Sequence, residues 1–436
     1  MPEARLLPDT RGRNGWSEAH PPIHRTQSLQ GQHRVKTVIV GAGICGMATA
    51  HKLAEHCPDD DIYLIEAERV GIGASGSNAG FMLNIHSHGP PKDTAILRRN
   101  IRLWETGLND LRLKVELFQI QCDWSEAGRF YGAAGPDGEK HLDEIAQTLD
   151  QLEQAYTWQS QSELHQKIGT NFYTRGMHAP GNALVNPAAL MSGLAHSLPA
   201  NVTLFEDTPV QRFDETRDGY AIQTVAGEIV ADRLVLACGV FLEHFGIAKR
   251  QFVPMGTYAS MTAPLNGEQL NCLGEADEFG LLGASAYGST IRLTRDKRLF
   301  VRNYFNFNPG ASPSVNTLNK TMYMHRHAMV KRWPGLRQTE FETTWGGVMA
   351  FTQNNGGVFG EFKPNLFAIL TNDVSPMTRG AAAGALLADL MEGRESDLLA
   401  LQLSIPEASR LPPRPFLDLG IAWHKGALRW AARQEF

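Results

Sequence analysis

This 436-residue chain is predicted to adopt an α/β fold, in which a parallel-sheet unit is joined to an α+β region of mixed sheet. Three observations predict it. Val38-Ile39-Val40, a β-branched run suited to burial on both faces, leads straight into Gly41-Ala-Gly-Ile-Cys-Gly46. A helix-forming stretch from Met47 to about His56 and a second apolar run, Asp61-Ile-Tyr-Leu-Ile-Glu66, complete a strand-helix-strand unit. Far downstream, residues 251 to 349 are strand-rich and alternate in polarity, which suits a mixed or antiparallel sheet.

Taken in order, residues 1 to 33 read as an extended arm, because Pro2, Pro8, Pro21 and Pro22 stand among many polar residues. Trp16 offers a ring that can dock this arm on the body. Beyond the strand-helix-strand unit, apolar spacing predicts helices over 92–118 (Ile101, Leu103, Trp104, Leu108, Leu111) and 140–168 (Leu142, Ile145, Leu149, Leu152), with a short strand and turn over 119–132 between them. Asn186-Pro187 opens a helix that runs to Leu198. Short strands are expected at 202–205, 220–225, 228–230 and 234–236, alternating ones at 257–262 and 299–304, and a buried one at 366–370. A small-residue helix follows from Arg379 to Met391. The tail from Ile421 to Phe436 places Trp423, Ala427, Trp430 and Ala431 on one helical face and Lys425, Arg429 and Arg433 near the other. Such a helix can lie on an anionic membrane or dock on its own protein.

The glycine string gains its meaning from context. Gly41, Gly43 and Gly46 satisfy G-x-G-x-x-G with a strand before, a helix after, and an acidic residue, Glu66, at the end of the next strand. The first glycine permits the tight turn, the second admits a pyrophosphate to the backbone N–H groups, and the third lets the helix pack on the strand. The helix N-terminus favours phosphate charge. Glu66 is the expected acceptor for an adenosine ribose, and its charge opposes the 2′-phosphate of NADP. Gly71-Ile-Gly-Ala-Ser-Gly76 matches the same string but lacks its own following acid. Its small residues, continuing through Gly80, indicate backbone wrapped closely around a large flat ligand.

Composition narrows the class. The 42 glycines exceed by roughly eleven the number that an average share near 7% predicts. The net charge of −5 opposes a general nucleic-acid binder, since phosphate contacts need a basic face. Five cysteines with no CxxC pair oppose a disulfide framework and a flavin disulfide reductase, and make a reducing cytoplasm the default. No signal-peptide core and no apolar run of the ~18 residues needed to span a bilayer is visible. No metal site is expected.

The residues resemble a known family. Ile65-Glu66-Ala67 followed by Gly71-Ile-Gly-Ala-Ser-Gly-Ser-Asn-Ala-Gly80 is similar to the flavin-binding opening of the D-amino-acid-oxidase-like superfamily, which includes glycine and sarcosine oxidases. Within it, the likeness is strongest to the gamma-glutamylputrescine oxidase type. It continues in Val230 to Gly239, Thr290 to Leu299, Trp345-Gly-Gly and Gly380 to Asp389. The resemblance implies FAD held by a discontinuous Rossmann-like domain (34–90, 179–250 and 345–395), a substrate domain (91–178 and 251–344) and a C-terminal extension (396–436). It implies that Gly41, Gly43, Ile44, Cys45 and Gly46 contact pyrophosphate, and that Glu66 and Ala67 meet the ribose. Ser75, Ser77, Asn78, Ala79 and Gly80 would form the phosphate-to-flavin passage. Val210 would meet adenine, Ala237 and Gly239 would close over the pyrophosphate, and Asn372, Ser375 and Thr378 would lie near the flavin pyrimidine. His86 and His88 follow the passage and could face the flavin.

The reaction implied is oxidation of a C–N bond of an amine or N-substituted amine, with hydride passing to flavin N5 and water hydrolysing the imine. O2 or another acceptor would reoxidise the flavin. Amino-acid oxidases of the superfamily carry an arginine after the tryptophan segment for the substrate carboxylate; here Met349 falls at that place, which points away from α-amino acids. Arg292 or Arg302 could substitute. Tyr258, Tyr304 and Trp345 are candidates for an aromatic pocket around an amine. The alternatives are an amino-acid or N-methylamino-acid oxidase or dehydrogenase, and a non-catalytic FAD-bearing subunit of a larger complex.

Overall fold

The structure, a computed structural model, describes residues 14–19, 26–85, 93–285, 288–371, 376–431 and 435. Strand Gly31–Val40 lies inside an eight-stranded sheet, parallel to Gly227–Leu236 on one side and to Ile62–Ile65 on the other. Outside these, Leu366–Leu370 and Val202–Phe205 continue the parallel order. Val358–Lys363 closes one edge antiparallel, and the hairpin Val210–Thr216 with Gly219–Thr224 extends the Gly227 strand. Val38 and Ile39 are fully buried, as a strand covered on both faces requires. Helices Ile44–His56 and Pro376–Met391 pack closely because small residues face each other; a Cβ on Gly384 would stand 2.3 Å from the Cys45 carbonyl oxygen.

The second sheet also has eight strands, in the order 341–351, 253–262, 299–307, 290–293, 279–283, 129–133, 175–179 and 157–160. All its pairs are antiparallel except Phe279–Gly283 with Arg129–Ala133. Two strand-helix assemblies thus alternate along one chain, the mixed α/β architecture expected.

Several local expectations are refined. The helix predicted over 140–168 is two helices, Gly135–Gln151 and Gln161–Ile168, separated by strand Thr157–Ser160. Glu153 takes a left-handed φ of 54°, and Ser160 with Glu163 forms a reciprocal capping box that begins a new helix. Apolar spacing alone could not see that restart. Strand Phe341–Phe351 runs through the boundary expected at 345 and pairs along its length with Val253–Thr262. Helix Thr94–Leu117 serves both assemblies: Leu108 and Leu111 belong to the core of the parallel sheet, Leu97, Ile101 and Trp104 to a neighbouring one.

At the N-terminus, helix Gly15–Ala19 is packed inside the molecule, with Trp16 buried. At the other end, helix Phe416–Ala431 leaves Phe416, Leu419 and Trp423 exposed, whereas Glu435 is buried. Among the described residues no helix is long and apolar enough to cross a membrane.

Candidate active site

A cleft opens at the carboxyl ends of the parallel strands, where open α/β sheets place their ligands. Strand Gly31–Val40 ends in Gly41, whose φ of +103° and whose approach to Ala237 O, 2.6 Å from an added Cβ, admit only glycine. At Gly46 an added Cβ would stand 1.9 Å from Gly41 O, so this residue lets the helix seat on the strand. Gly43 differs: its missing Cβ points into the cleft, with only Ser75 Oγ within contact, at 3.1 Å. The three glycines therefore divide into turn, cradle and packing. Ser75 Oγ accepts from the Ile44 backbone N–H at 2.9 Å and so caps the start of helix Ile44–His56 beside the cradle. The cleft is open to solvent at its mouth and holds a cavity of about 230 Å³.

Glu66 ends the second strand at the cleft wall. Its carboxylate accepts from Ala42 N at 2.9 Å and Glu68 N at 3.2 Å. Burial nevertheless dominates and holds its carboxyl above the usual range, with those N–H groups opposing the shift. Burial also pushes the Cys238 thiol up to about 12, so this cleft residue is a protonated packing group rather than a thiolate. Among the described residues no cluster of His, Cys, Asp and Glu is placed to hold a metal.

Of the residues expected to hold FAD, Gly41, Gly43, Ile44, Cys45, Glu66, Ala67, Ser75, Ser77, Val210, Ala237 and Gly239 line this one cleft. Gly46, Asn78, Ala79, Gly80 and Thr378 do not line it; Thr378, for instance, donates its hydroxyl to Leu83 O at 2.7 Å. Asn372, Ser375, His86 and His88 lie outside the described residues. Residues from distant segments complete the lining: Thr208, Phe241, Phe245, Ala311, Pro313 and Gly346 to Val348. Only Gly346 and Gly347 carried a signal, through the Trp345-Gly-Gly run.

The second sheet meets the cleft along that run. Trp345 is buried, and its Nε1 donates to Ser77 O at 2.9 Å. Register places Trp345 beside Ala259, Ala259 beside Arg302, and Arg302 beside Thr290, all on one face. Arg302 donates to Thr290 Oγ1 at 3.2 Å and stacks on Phe305 at 4.3 Å. Tyr258 and Tyr304 turn to the opposite face: the Tyr258 hydroxyl donates to Asn306 Oδ1 at 2.7 Å, and Lys320 of helix Val315–Arg332 lies over the Tyr304 ring. None of Tyr258, Tyr304, Trp345 and Arg302 lines the cleft itself. Arg292 is engaged elsewhere through Nη1, which donates to Ala79 O, Gly80 O and Val185 O at 3.0, 3.1 and 2.6 Å. Its burial lowers its pKa to about 10.

Comparison with known proteins shows the family and the fold. A family model described as FAD-dependent oxidoreductase matches residues 36–390. The gamma-glutamylputrescine oxidoreductase of Escherichia coli K12 is 23% identical over 405 residues, covering 88% of this chain and 91% of that protein. Glycine oxidase of Geobacillus kaustophilus is 23% identical over 388 residues, covering 84% and 94%. The crystal structure of glycine oxidase from the same species superposes with a TM-score of 0.72 at 19% identity, over 87% of this chain and all of the other.

Proposed function

Since the chain belongs to the FAD-dependent oxidoreductase family, we propose that it oxidises a C–N bond of an amine or N-substituted amine in the cytoplasm, with O2 or another acceptor taking up the electrons. The carrying observation is the continuity of the fingerprint cleft with the second sheet at Gly346 to Val348. A cradle that a single Cβ at Gly43 would fill, a helix N-terminus and a buried carboxylate fit a dinucleotide cofactor. Gly41 to Gly46 would receive its pyrophosphate, Glu66 a ribose, and Ser75 to Gly80 the passage toward the ring. When bound, FAD supplies the two-electron acceptor that side chains lack.

The chain's own contribution is placement. Trp345, Ala259, Met261 and Phe300 pack with Trp16 and Ala188 into a buried apolar cluster that backs the Gly346 to Val348 edge of the cleft and excludes water there. On the same face, Arg302 with Thr290 offers a charged anchor for a remote group of the substrate, so that its reacting carbon is held still. Met349, half-buried opposite Met255, provides no bidentate clamp for an α-carboxylate, which favours amines over α-amino acids. A second reading, an N-methylamino-acid or amino-acid oxidase, draws support from Arg302 as a displaced clamp. Arg292 donates to three backbone carbonyls and is less suited to that work.

Anaerobic bleaching of the purified yellow protein tests both readings. A panel of polyamines, gamma-glutamyl amines, secondary amines, N-methylamino acids and amino acids is added and flavin absorbance followed. Bleaching by amines lacking an α-carboxylate is expected; bleaching by amino acids alone favours the second reading. No bleaching by any donor, or a colourless protein, defeats catalysis of this kind.

A further inference from the structure

The N-terminal arm touches the wall of the cofactor cleft at two separated places. At one end, Asn14 Nδ2 donates to Gly71 O and Gly76 O, both at 3.4 Å, and Trp16 Nε1 donates to Asn78 O at 2.8 Å. Trp16 stacks on Phe300 with ring centres 5.4 Å apart, and the Arg292 guanidinium lies 5.1 Å from its ring centre. Asn186 Nδ2 in turn donates to Trp16 O at 3.2 Å. With Trp345 on Ser77 O and Arg292 on Ala79 O and Gly80 O, every carbonyl from Gly76 to Gly80 is drawn by a donor from outside the segment. These include the carbonyls that the end of the short helix Ala74–Ser77 would otherwise leave unpaired.

At the other end, Thr26 donates through its hydroxyl to Glu206 Oε2 at 3.0 Å and accepts from Glu206 N at 3.1 Å. Leu29 N donates to Thr208 Oγ1 at 3.1 Å. Glu206 Oε1 accepts from Val70 N at 2.8 Å, and Val70, Thr208 and Val210 line the cleft where adenine is expected. One short arm therefore braces the passage near Trp345 and the adenine end alike.

We propose that residues 14–19 and 26–29 act as a two-point strap that holds both ends of the FAD cradle, with Trp16 and Thr26 as positioning residues for the cofactor. The strap rests on the cleft being the FAD site. Its carbonyl-side anchoring fixes the peptide planes of 76–80, so ordering the arm and binding FAD stabilise each other, and the gain is reciprocal.

The test uses full-length holoenzyme and apoprotein, with four variants. Trp16→Phe keeps a ring on Phe300 and removes the bond to Asn78 O; Thr26→Val is isosteric and removes the two hydroxyl bonds to Glu206, leaving the one from the backbone N–H to Glu206 Oε2 at 3.3 Å. Gly43→Val fills the cradle, and Trp423→Ala, at an exposed site, is the control. Each strap variant should raise the FAD Kd about five- to tenfold, as loss of a buried hydrogen bond does, with Trp423→Ala unchanged. Hydrogen exchange should show that FAD protects 14–19 and 26–29 together in the wild type. In Trp16→Phe, the flavin absorption bands and midpoint potential should shift. If Gly43→Val abolishes FAD binding while both strap variants bind with wild-type Kd and spectrum, the strap is wrong and the site stands. Strap variants that lower the apoprotein Tm without changing Kd or spectrum also overturn it, as a structural role only. If Gly43→Val leaves FAD binding intact, the cleft assignment fails instead.

Discussion

Gly43 and Gly46 sit three residues apart in one motif and answer to different demands. An added Cβ meets the Gly41 carbonyl at 1.9 Å at one position and only the Ser75 hydroxyl, at 3.1 Å, at the other. Gly46→Ala must push helix Ile44–His56 off its strand, and about 2–4 kcal/mol of stability should be lost even in apoprotein, read by urea unfolding. Gly43→Val should leave that transition nearly unmoved. Glu66 adds a pH signature. Its carboxyl is raised, chiefly by burial, so the apoprotein's stability falls as pH rises and this buried group ionises. Ribose hydroxyls donate to the ionised form, so FAD affinity should fall with acidification, beginning at a higher pH than an ordinary carboxylate would give. Glu66→Gln should weaken FAD about tenfold at neutral pH and flatten that acid limb, as followed by titrating apoprotein with FAD. These residues are legible in the sequence because turn, cradle and acceptor lie within one local unit. Phe241, Ala311 and Pro313 are not, because they reach the cleft only when strands far apart in the chain have paired.

Elements were readable where their period was uninterrupted. Leu366–Leu370 and Val202–Phe205 fall where their apolar runs predict, whereas 140–168 breaks in two, since a capping box inside a continuous apolar pattern carries no periodic signal. The break has an energetic test. Ser160→Ala removes the acceptor for Glu163 N and the hydroxyl donor to its carboxylate, leaving the Ser160 N–H bond, and should cost about 1 kcal/mol without altering FAD binding. Helix contacts around the cleft are stricter. Gly107 approaches Thr378 O, where an added Cβ would stand at 1.8 Å, and Gly384 approaches Cys45 O at 2.3 Å. Backbone atoms cannot swing aside as side chains do. The glycine surplus therefore has two destinations, cofactor cradle and helix crossings, and composition alone named only close approach in general.

At the scale of the whole molecule, the two termini fasten the two sheets. The N-terminal arm ties into the parallel-sheet cleft, while Glu435 closes on the second sheet: its Oε1 accepts from Ser285 N at 3.1 Å, and its backbone carbonyl accepts from Arg332 Nη2 at 2.9 Å. Oε2 is buried with no hydrogen-bond partner among the described residues. Arg332, itself bonded to the Tyr173 hydroxyl, opposes protonation, yet burial prevails and pushes the carboxyl up to about 7. A freed tail would titrate near the ordinary value of 4.5, so the docked tail retains a proton through the interval between. Docking is then strongest below about 4.5 and weakens as pH rises through 7. The full swing is of the order of 3 kcal/mol, or a few hundredfold in the docking equilibrium. Glu435→Gln keeps the neutral form at every pH. Tryptic cleavage at Arg433 should therefore accelerate with pH in the wild type relative to this variant, the protease's own pH dependence cancelling between them. Parallel cleavage of the two proteins from pH 5.5 to 8.5 would show that the carboxyl does not govern the tail. Acceleration in the wild type alone would make the C-terminus a pH-dependent fastening on the second sheet, remote in sequence from the arm that fastens the first.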